Sequence, residues 1–231
     1  MIRHGQASFG QDNYDNLSPK GIQQAQILGE HLTKIGLKID AVYSGTMSRQ
    51  KATAREVLAC YQGRGFYVPD LVQIDKLNEY DFSAVISSQI KEMTREDPSI
   101  EEHLEKMLTD KESFRKVFEG AMLRWVSGKH DMPDIISWLD FIDRAKQALK
   151  DIMKRHGRGS TIAVFTSGGP ICAAIKWILG LSDERAIRLN WQIVNTSYSR
   201  FMYNDERITL AGFNSISHLE LHNERSLITY R

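Results

Sequence analysis

The chain has 231 residues, with 30 basic against 29 acidic side chains and 42% hydrophobic residues. That length suits one large domain or a core with an insertion, and the balanced charge excludes a global field aimed at nucleic acid or a membrane surface. Nothing reads as a signal peptide or a bilayer-spanning run, so any anion site must be built locally.

The first residues are an apolar stub, Met1-Ile2, leading into Arg3-His4-Gly5-Gln6. A central strand usually has about five residues, so either this one is short or the true start lies upstream of Met1. Ser18-Pro19 is an N-cap followed by proline at the first helical position. Ile22, Ala25, Leu28, Leu32 and Ile35 then recur at helical spacing, which predicts an amphipathic helix over 19–35 ended by Gly36. Asp40 to Ser44 reads as a short buried strand, Thr46 to Cys60 as a helix, and Leu71 to Ile74 as a further strand. Strand and helix alternating at these intervals point to βαβ units.

Residues 83–136 break the rhythm. They are charge-rich and helix-prone, with a loop-like stretch from Ser127 to Pro133. They read as a helical insertion whose alternating charges form a solvated surface. After Ser137, Leu139, Ile142, Ala145, Leu149 and Ile152 line one helical face. Thr161 to Phe165 is nearly continuous and apolar, as buried parallel strands are. Gly168-Gly169-Pro170 turns into a helix over 171–179, and segments 197–203 and 207–212 flank Asn204-Asp205-Glu206 as a hairpin adding an antiparallel edge. The fold class is therefore α/β: a three-layer sandwich, with a mostly parallel twisted sheet, helices on both faces and the insertion over the strand ends. One domain over 1–231 is expected, with 83–136 as its cap. Cys60 and Cys172 lie in apolar helical patterns and read as reduced core residues of a cytoplasmic protein. No CxxC or HExxH spacing suggests a metal site.

In open α/β sheets ligands bind beyond the carboxyl ends of the strands. Arg3-His4-Gly5, the turn at Ser44, the segment leading to Glu79, and Ser167-Gly168-Gly169 all fall at such ends. Arg3 offers a planar fork of donors for phosphoryl oxygens, and His4 can attack phosphorus and carry it covalently. A lone histidine is more often structural. Its neighbour Arg3 and its strand-end position favour the nucleophile.

The triplet at 3–5, LSPKGIQQA at 17–25, SGTMSRQKATA at 44–54 and LNE at 77–79 follow one another in an order that resembles the histidine phosphatase superfamily, phosphoglycerate mutase-like, branch 1. The resemblance implies that His4 becomes a phosphohistidine, its ring held in one tautomer through the other nitrogen. It implies that Arg49, on the first turn of the 46–60 helix where backbone amides already favour an anion, binds the phosphoryl group. Arg55, on roughly the opposite face, reads as solvated. Glu79 matches the general acid that protonates the leaving oxygen, which requires a raised pKa. Asp81 is a rival, disfavoured by motif register and by aspartate's lower intrinsic pKa. Gln6 and Ser8, in the loop after His4, are further candidate donors to phosphoryl oxygens.

The departure from the family pattern is Ser167. Phe165-Thr166-Ser167-Gly168-Gly169 stands where the family has His-Gly-Gly, so a neutral hydroxyl replaces a phosphoryl-holding imidazole. A charge-assisted bond is about twice as strong as a neutral one, and its loss at a transition state costs on the order of tenfold to a thousandfold. The amides of Gly168 and Gly169 at a helix start offer partial compensation. His218, in Ser217-His218-Leu219, matches a different family segment and reads as structural or as a support for the site. His31, His103, His130, His156 and His222 carry no signal. Ser167 as a hydrolase nucleophile elbow fails, because Phe165 occupies the first glycine position of that motif.

The expected activity is metal-independent hydrolysis of small phosphomonoesters through a phosphohistidine, with no cofactor and no nucleic-acid or membrane partner; a homo-oligomer stays open. A phosphoglycerate mutase is the nearest enzymatic alternative. A catalytically weakened or non-catalytic phospho-ligand binder or partner-docking protein, motivated by Ser167, is the rival from another class.

Overall fold

The computed structural model describes residues 1–8, 15–107 and 109–230. Six strands form one sheet: β1 (Ile2–Arg3), β2 (Ala41–Ser44), β3 (Leu71–Gln73), β4 (Ile162–Thr166), β5 (Tyr198–Tyr203) and β6 (Ile208–Ser215). Their spatial order is β3-β2-β4-β1-β5-β6. β3, β2, β4 and β1 run parallel, while β5 is antiparallel to β1 and β6 to β5.

Side chains alternate across the two middle strands, and each face has its own helices. Val42, Ala163 and Phe165 pack with helices α1 (Pro19–Lys34) and α2 (Ser48–Gly63) through Ala25, Leu28, Leu32, Ala54, Val57 and Tyr61. Ala41, Tyr43 and Val164 face the other way onto Ala148 and Ile152 of α6 (Trp138–His156). Both faces are thus buried, which is why β2 and β4 read as continuous apolar runs.

Local chemistry explains most helix limits. Ser18 caps α1 by accepting the Gly21 N–H, with Pro19 at the first position. Gly36 adopts a left-handed φ of 70° beyond its end. The inward row of α1 is Gly21, Ala25, Leu28 and Leu32, because the Gly21 backbone lies against Gln6. Ile22 falls beside that row, and Ile35, at the C-cap, is 58% exposed. α2 starts at Ser48 rather than Thr46, whose backbone N–H is held by the Asn78 side chain. On α6 the core face is Trp138, Phe141, Ile142 and Ala145; Leu139, about 100° round from Trp138, is exposed instead of inward. α7 (Gly168–Leu179) begins three residues earlier than 171, since Pro170 sits in the first turn, where a missing N–H costs nothing. Cys172 is buried, whereas Cys60 is only half-buried, so it is not a core residue.

The 83–136 segment forms α3 (Phe82–Glu96), α4 (Ile100–Lys106) and α5 (Lys111–Val126). Met93, Ile100, Val117 and Ala121 make a small apolar cluster of their own. Val85, Met122, Trp125 and Val126 join a larger core with α6, α7 and α8 (Asp183–Asn190). The insertion therefore carries an apolar face as well as a charged surface. Aromatic contacts from Tyr80 to Trp125 and Phe141 tie it to the main body.

The loop after β1 is locked to the start of α1 by two glycines. A Cβ on Gly5 would stand 2.3 Å from the Gly21 oxygen, and one on Gly21 would stand 2.1 Å from the Gln6 oxygen. Gly21→Ala should therefore lower the unfolding free energy by about 2 kcal/mol, as overpacking typically does. Gly63→Ala, where an added Cβ meets nothing within 4 Å, should be neutral or slightly stabilising; paired urea melts check both.

Candidate active site

β1 delivers His4 to the carboxyl end of the parallel strands, where its backbone N–H donates to the Thr166 carbonyl at 2.9 Å. The following amide, Gly5 N, donates to Thr53 Oγ1 of α2 at 2.9 Å. His4 Nδ1 lies 2.7 Å from the Gly5 carbonyl oxygen, an acceptor only, so Nδ1 carries the proton and Nε2 presents a lone pair. Arg49 Nε donates to that Nε2 at 3.2 Å. His4 is only 5% exposed, and burial followed by the charges of Arg49 and Arg3 pushes its pKa well below the usual histidine value.

Arg49 occupies the second residue of α2 and is 6% exposed. Its Nη1 pairs with Asp15 Oδ1 at 2.6 Å, and Asp15 Oδ2 accepts the Ser48 N–H at 2.7 Å. Arg3 donates through Nη1 to the Ile193 carbonyl, which aims its guanidinium along the sheet end. Arg55 is exposed, as its position on the helix led us to expect.

Glu79 comes to the same place from the turn after β3. Its Oε2 accepts the Gly169 N–H at 3.0 Å, and Oε1 accepts the Tyr80 N–H at 3.3 Å. Burial raises the Glu79 pKa, against the lowering effects of the Gly169 amide, Arg49 and Arg3. A Cβ on Gly169 would stand 2.0 Å from Glu79 Oε1, so only glycine leaves room for the carboxylate. The turn is pinned by Thr166 Oγ1 and Gln50 Nε2, both donating to the Leu77 carbonyl at 2.6 and 3.2 Å. Asp81 is exposed and caps α3, accepting the Ala84 N–H at 2.9 Å.

The remaining candidates have other commitments. Gly169's amide is taken by Glu79, which leaves Gly168 as the glycine whose amide begins α7. Ser167 is fully buried, and its Oγ accepts Gln50 Nε2 at 2.8 Å. Gln6 accepts the Ser18 hydroxyl at 2.9 Å, so its side-chain oxygen serves the α1 cap. Ser8 pairs through its backbone with Asn16.

A family model, the histidine phosphatase superfamily (branch 1), matches residues 1–122 and 86–216. The chain belongs to this superfamily. Solved structures agree on the fold. A Bacillus stearothermophilus protein, YhfR, superposes with a TM-score of 0.67 at 20% identity over 94% of this chain and 96% of that one. Phosphoserine phosphatase from Entamoeba histolytica, in complex with 3-phosphoglyceric acid, gives 0.63 at 20% identity over 94% and 96%. Phosphoglycerate mutase from Bacillus anthracis gives 0.64 at 19% identity over 96% and 95%.

In this histidine phosphatase superfamily member, several site residues had no signal in the sequence. Asn195 Nδ2 donates to the His4 carbonyl at 3.0 Å, and the Thr196 N–H reaches the Arg3 carbonyl at 3.1 Å. Thr196 adopts φ 58°, a strained conformation for a β-branched residue. Thr196 Oγ1 donates to the Asn195 carbonyl at 2.7 Å and accepts from His218 Nε2 at 3.2 Å. His218 thus supports the strap behind His4, and burial pulls its pKa down to about 3. The run Asn195-Thr196-Ser197 looks like an ordinary polar loop, yet all three are buried.

His4 and His218 are neutral when folded but titrate near 6.5 in an unfolded chain. As pH falls below that value the unfolded state binds more protons, so stability present at pH 7 is lost. Glu79 acts with opposite sign: the folded state holds its proton above the ordinary carboxyl range, and stability falls as pH rises through that window. Urea melts between pH 7 and 5 should show falling stability in the wild type. His218→Gln should remove a slope approaching about 1.4 kcal/mol per pH unit, one proton's worth.

Proposed function

We propose that this protein hydrolyses phosphomonoesters in two steps, through a phosphohistidine at His4. The observation that carries the reading is the His4 ring itself: neutral, with Nδ1–H tied to the Gly5 carbonyl and the Nε2 lone pair facing Arg49. In the first step Nε2 attacks phosphorus and the bond to the ester oxygen breaks. Arg3 and Arg49 bind the equatorial oxygens, with the Gly168 amide and the Ser167 hydroxyl in lesser roles; Gln6 has the weakest claim, since its side-chain oxygen serves a helix cap. Glu79, whose protonated form burial favours, gives its proton to the departing oxygen. In the second step its carboxylate takes a proton from water, which attacks phosphorus and frees His4. Positioning and electrostatics supply most of the rate.

Membership in a phosphatase superfamily supports the hydrolase reading. The phosphorylated ligand named for the Entamoeba relative makes small phosphorylated metabolites the first substrates to try. In this reading the whole chain serves one site, and the 83–136 helices cap it and set specificity. A catalytically weakened or non-catalytic phospho-ligand binder stands second, motivated by Ser167, and a mutase third. Ser167 bears on rate: it forms a neutral pair with Gln50 where the family has an imidazole, so slow turnover is expected.

The test is turnover of p-nitrophenyl phosphate in the presence of a chelator, beside His4→Ala and Glu79→Gln. Wild type should turn over and carry acid-labile phosphate, and both should vanish in His4→Ala. Glu79→Gln should lower kcat on a poor leaving group by about a hundredfold or more. Turnover that survives His4→Ala would sink the phosphohistidine route.

A further inference from the structure

We propose that Arg144, on α6, is a positioning residue that holds Glu79 toward the leaving group through the Asn78 carbonyl. This inference rests on the assignment of Glu79 as the general acid and adds a residue that the motif resemblance does not include.

Arg144 Nη2 donates to the Asn78 carbonyl oxygen at 2.7 Å, and Asn78 immediately precedes Glu79. Its guanidinium lies over the Phe141 ring, 5.0 Å from the centroid. That same ring reaches the other anchor of the acid, because its Cζ stands 2.9 Å from where a Cβ on Gly169 would be. Gly169 N–H holds the Glu79 carboxylate. One turn of α6 therefore touches both supports of Glu79: the turn that carries it and the amide that orients it. Asn78 is in turn clasped to the start of α2, its Oδ1 accepting the Thr46 N–H and its Nδ2 donating to Thr46 Oγ1, each at 2.7 Å. Movement of Asn78 is thus coupled to the segment that bears Arg49.

The placement is not that of a solvated surface arginine. Arg144 is half-buried, and its Nε is buried without a hydrogen-bond partner among the described residues. Such a burial carries a cost that a free rotamer would avoid. Three cations act on Glu79: Arg3 from β1, Arg49 from α2 and Arg144 from α6. Asp75, on the turn before it, also faces Arg144, while Tyr80 and Cys172 beside Glu79 stay neutral because burial raises both. Arg144 reaches the turn carrying Glu79 directly, through the Asn78 carbonyl.

A lost general acid hurts poor leaving groups most. The experiment compares glycerol phosphate with p-nitrophenyl phosphate in wild type, Arg144→Met, Arg144→Lys and Arg155→Met, the last an exposed charge control on the same helix. In parallel, 13C NMR follows the Glu79 carboxyl titration, with Glu79→Gln identifying the resonance. In Arg144→Met kcat should fall about tenfold on glycerol phosphate and less than about threefold on p-nitrophenyl phosphate. The Glu79 midpoint should rise by about half a unit or more, because a nearby cation has gone. Arg144→Lys should restore the midpoint but only part of the rate, since an ammonium lacks the planar fork. Arg155→Met should change neither. Equal losses on both esters with an unmoved midpoint would overturn the proposal and leave Arg144 as packing. Should Arg144→Met not fold, the selective loss in Arg144→Lys decides. A wild type inactive on both esters would count against the phosphatase reading alone, since the titration still tests the Arg144–Glu79 coupling.

Discussion

The hydrogen bond between His4 Nδ1 and the Gly5 carbonyl is the contact on which the site depends. It makes one ring nitrogen a donor and leaves the other as a lone pair at the mouth of the sheet. The same Gly5 lets α1 come within backbone contact of the loop. Thr53 and Asn195 then hold the amide of Gly5 and the carbonyl of His4. The strained Thr196 belongs to the same frame, kept in place by His218 and by the Arg3 carbonyl. An active site is where such strain is expected to persist, since the surroundings over-determine it.

Burial and charge act together at His4 and against each other at Glu79. At His4 desolvation and two arginines push in the same direction, toward the neutral imidazole. At Glu79 desolvation favours the neutral acid while the same arginines and an amide resist it. One set of cations therefore favours a neutral imidazole and resists a neutral carboxyl at once. The two shifts run against the ordinary order, the imidazole down and the carboxyl up, as environments that tune acid–base pairs do.

The Ser167 site shows how a fold absorbs a missing charge. Gln50 reaches across from α2 to bond both the serine hydroxyl and the Leu77 carbonyl, so the position is filled by a neutral network. That network keeps the Glu79-bearing turn in place without carrying a charge. The insertion contributes differently, closing a shared core around Trp125 and Trp138 beside the same turn.

Much was legible in the sequence because it depends on local periodicity and on residue types that few other roles explain. Helical spacing placed α1, α2 and α6, and apolar continuity placed β4. Arg3, His4, Arg49 and Glu79 stand out at strand ends, and the structure brings their segments together at the carboxyl ends of the parallel strands. Ile35 and Leu139 were misread as inward, because spacing defines a stripe without saying where a neighbouring helix ends. Cys60 likewise fits the apolar pattern of α2 yet is only half-buried. Asp15, Gln50, Asn195, Thr196 and Arg144 were invisible as site residues: a polar residue in a loop or on a helix looks alike whether solvated or buried. What the sequence determined alone was the order of elements and the chemistry on offer. Which lone pair faces Arg49, which amide holds Glu79 and which arginine braces its turn were decided by tertiary packing, because each is a contact between segments far apart in the chain.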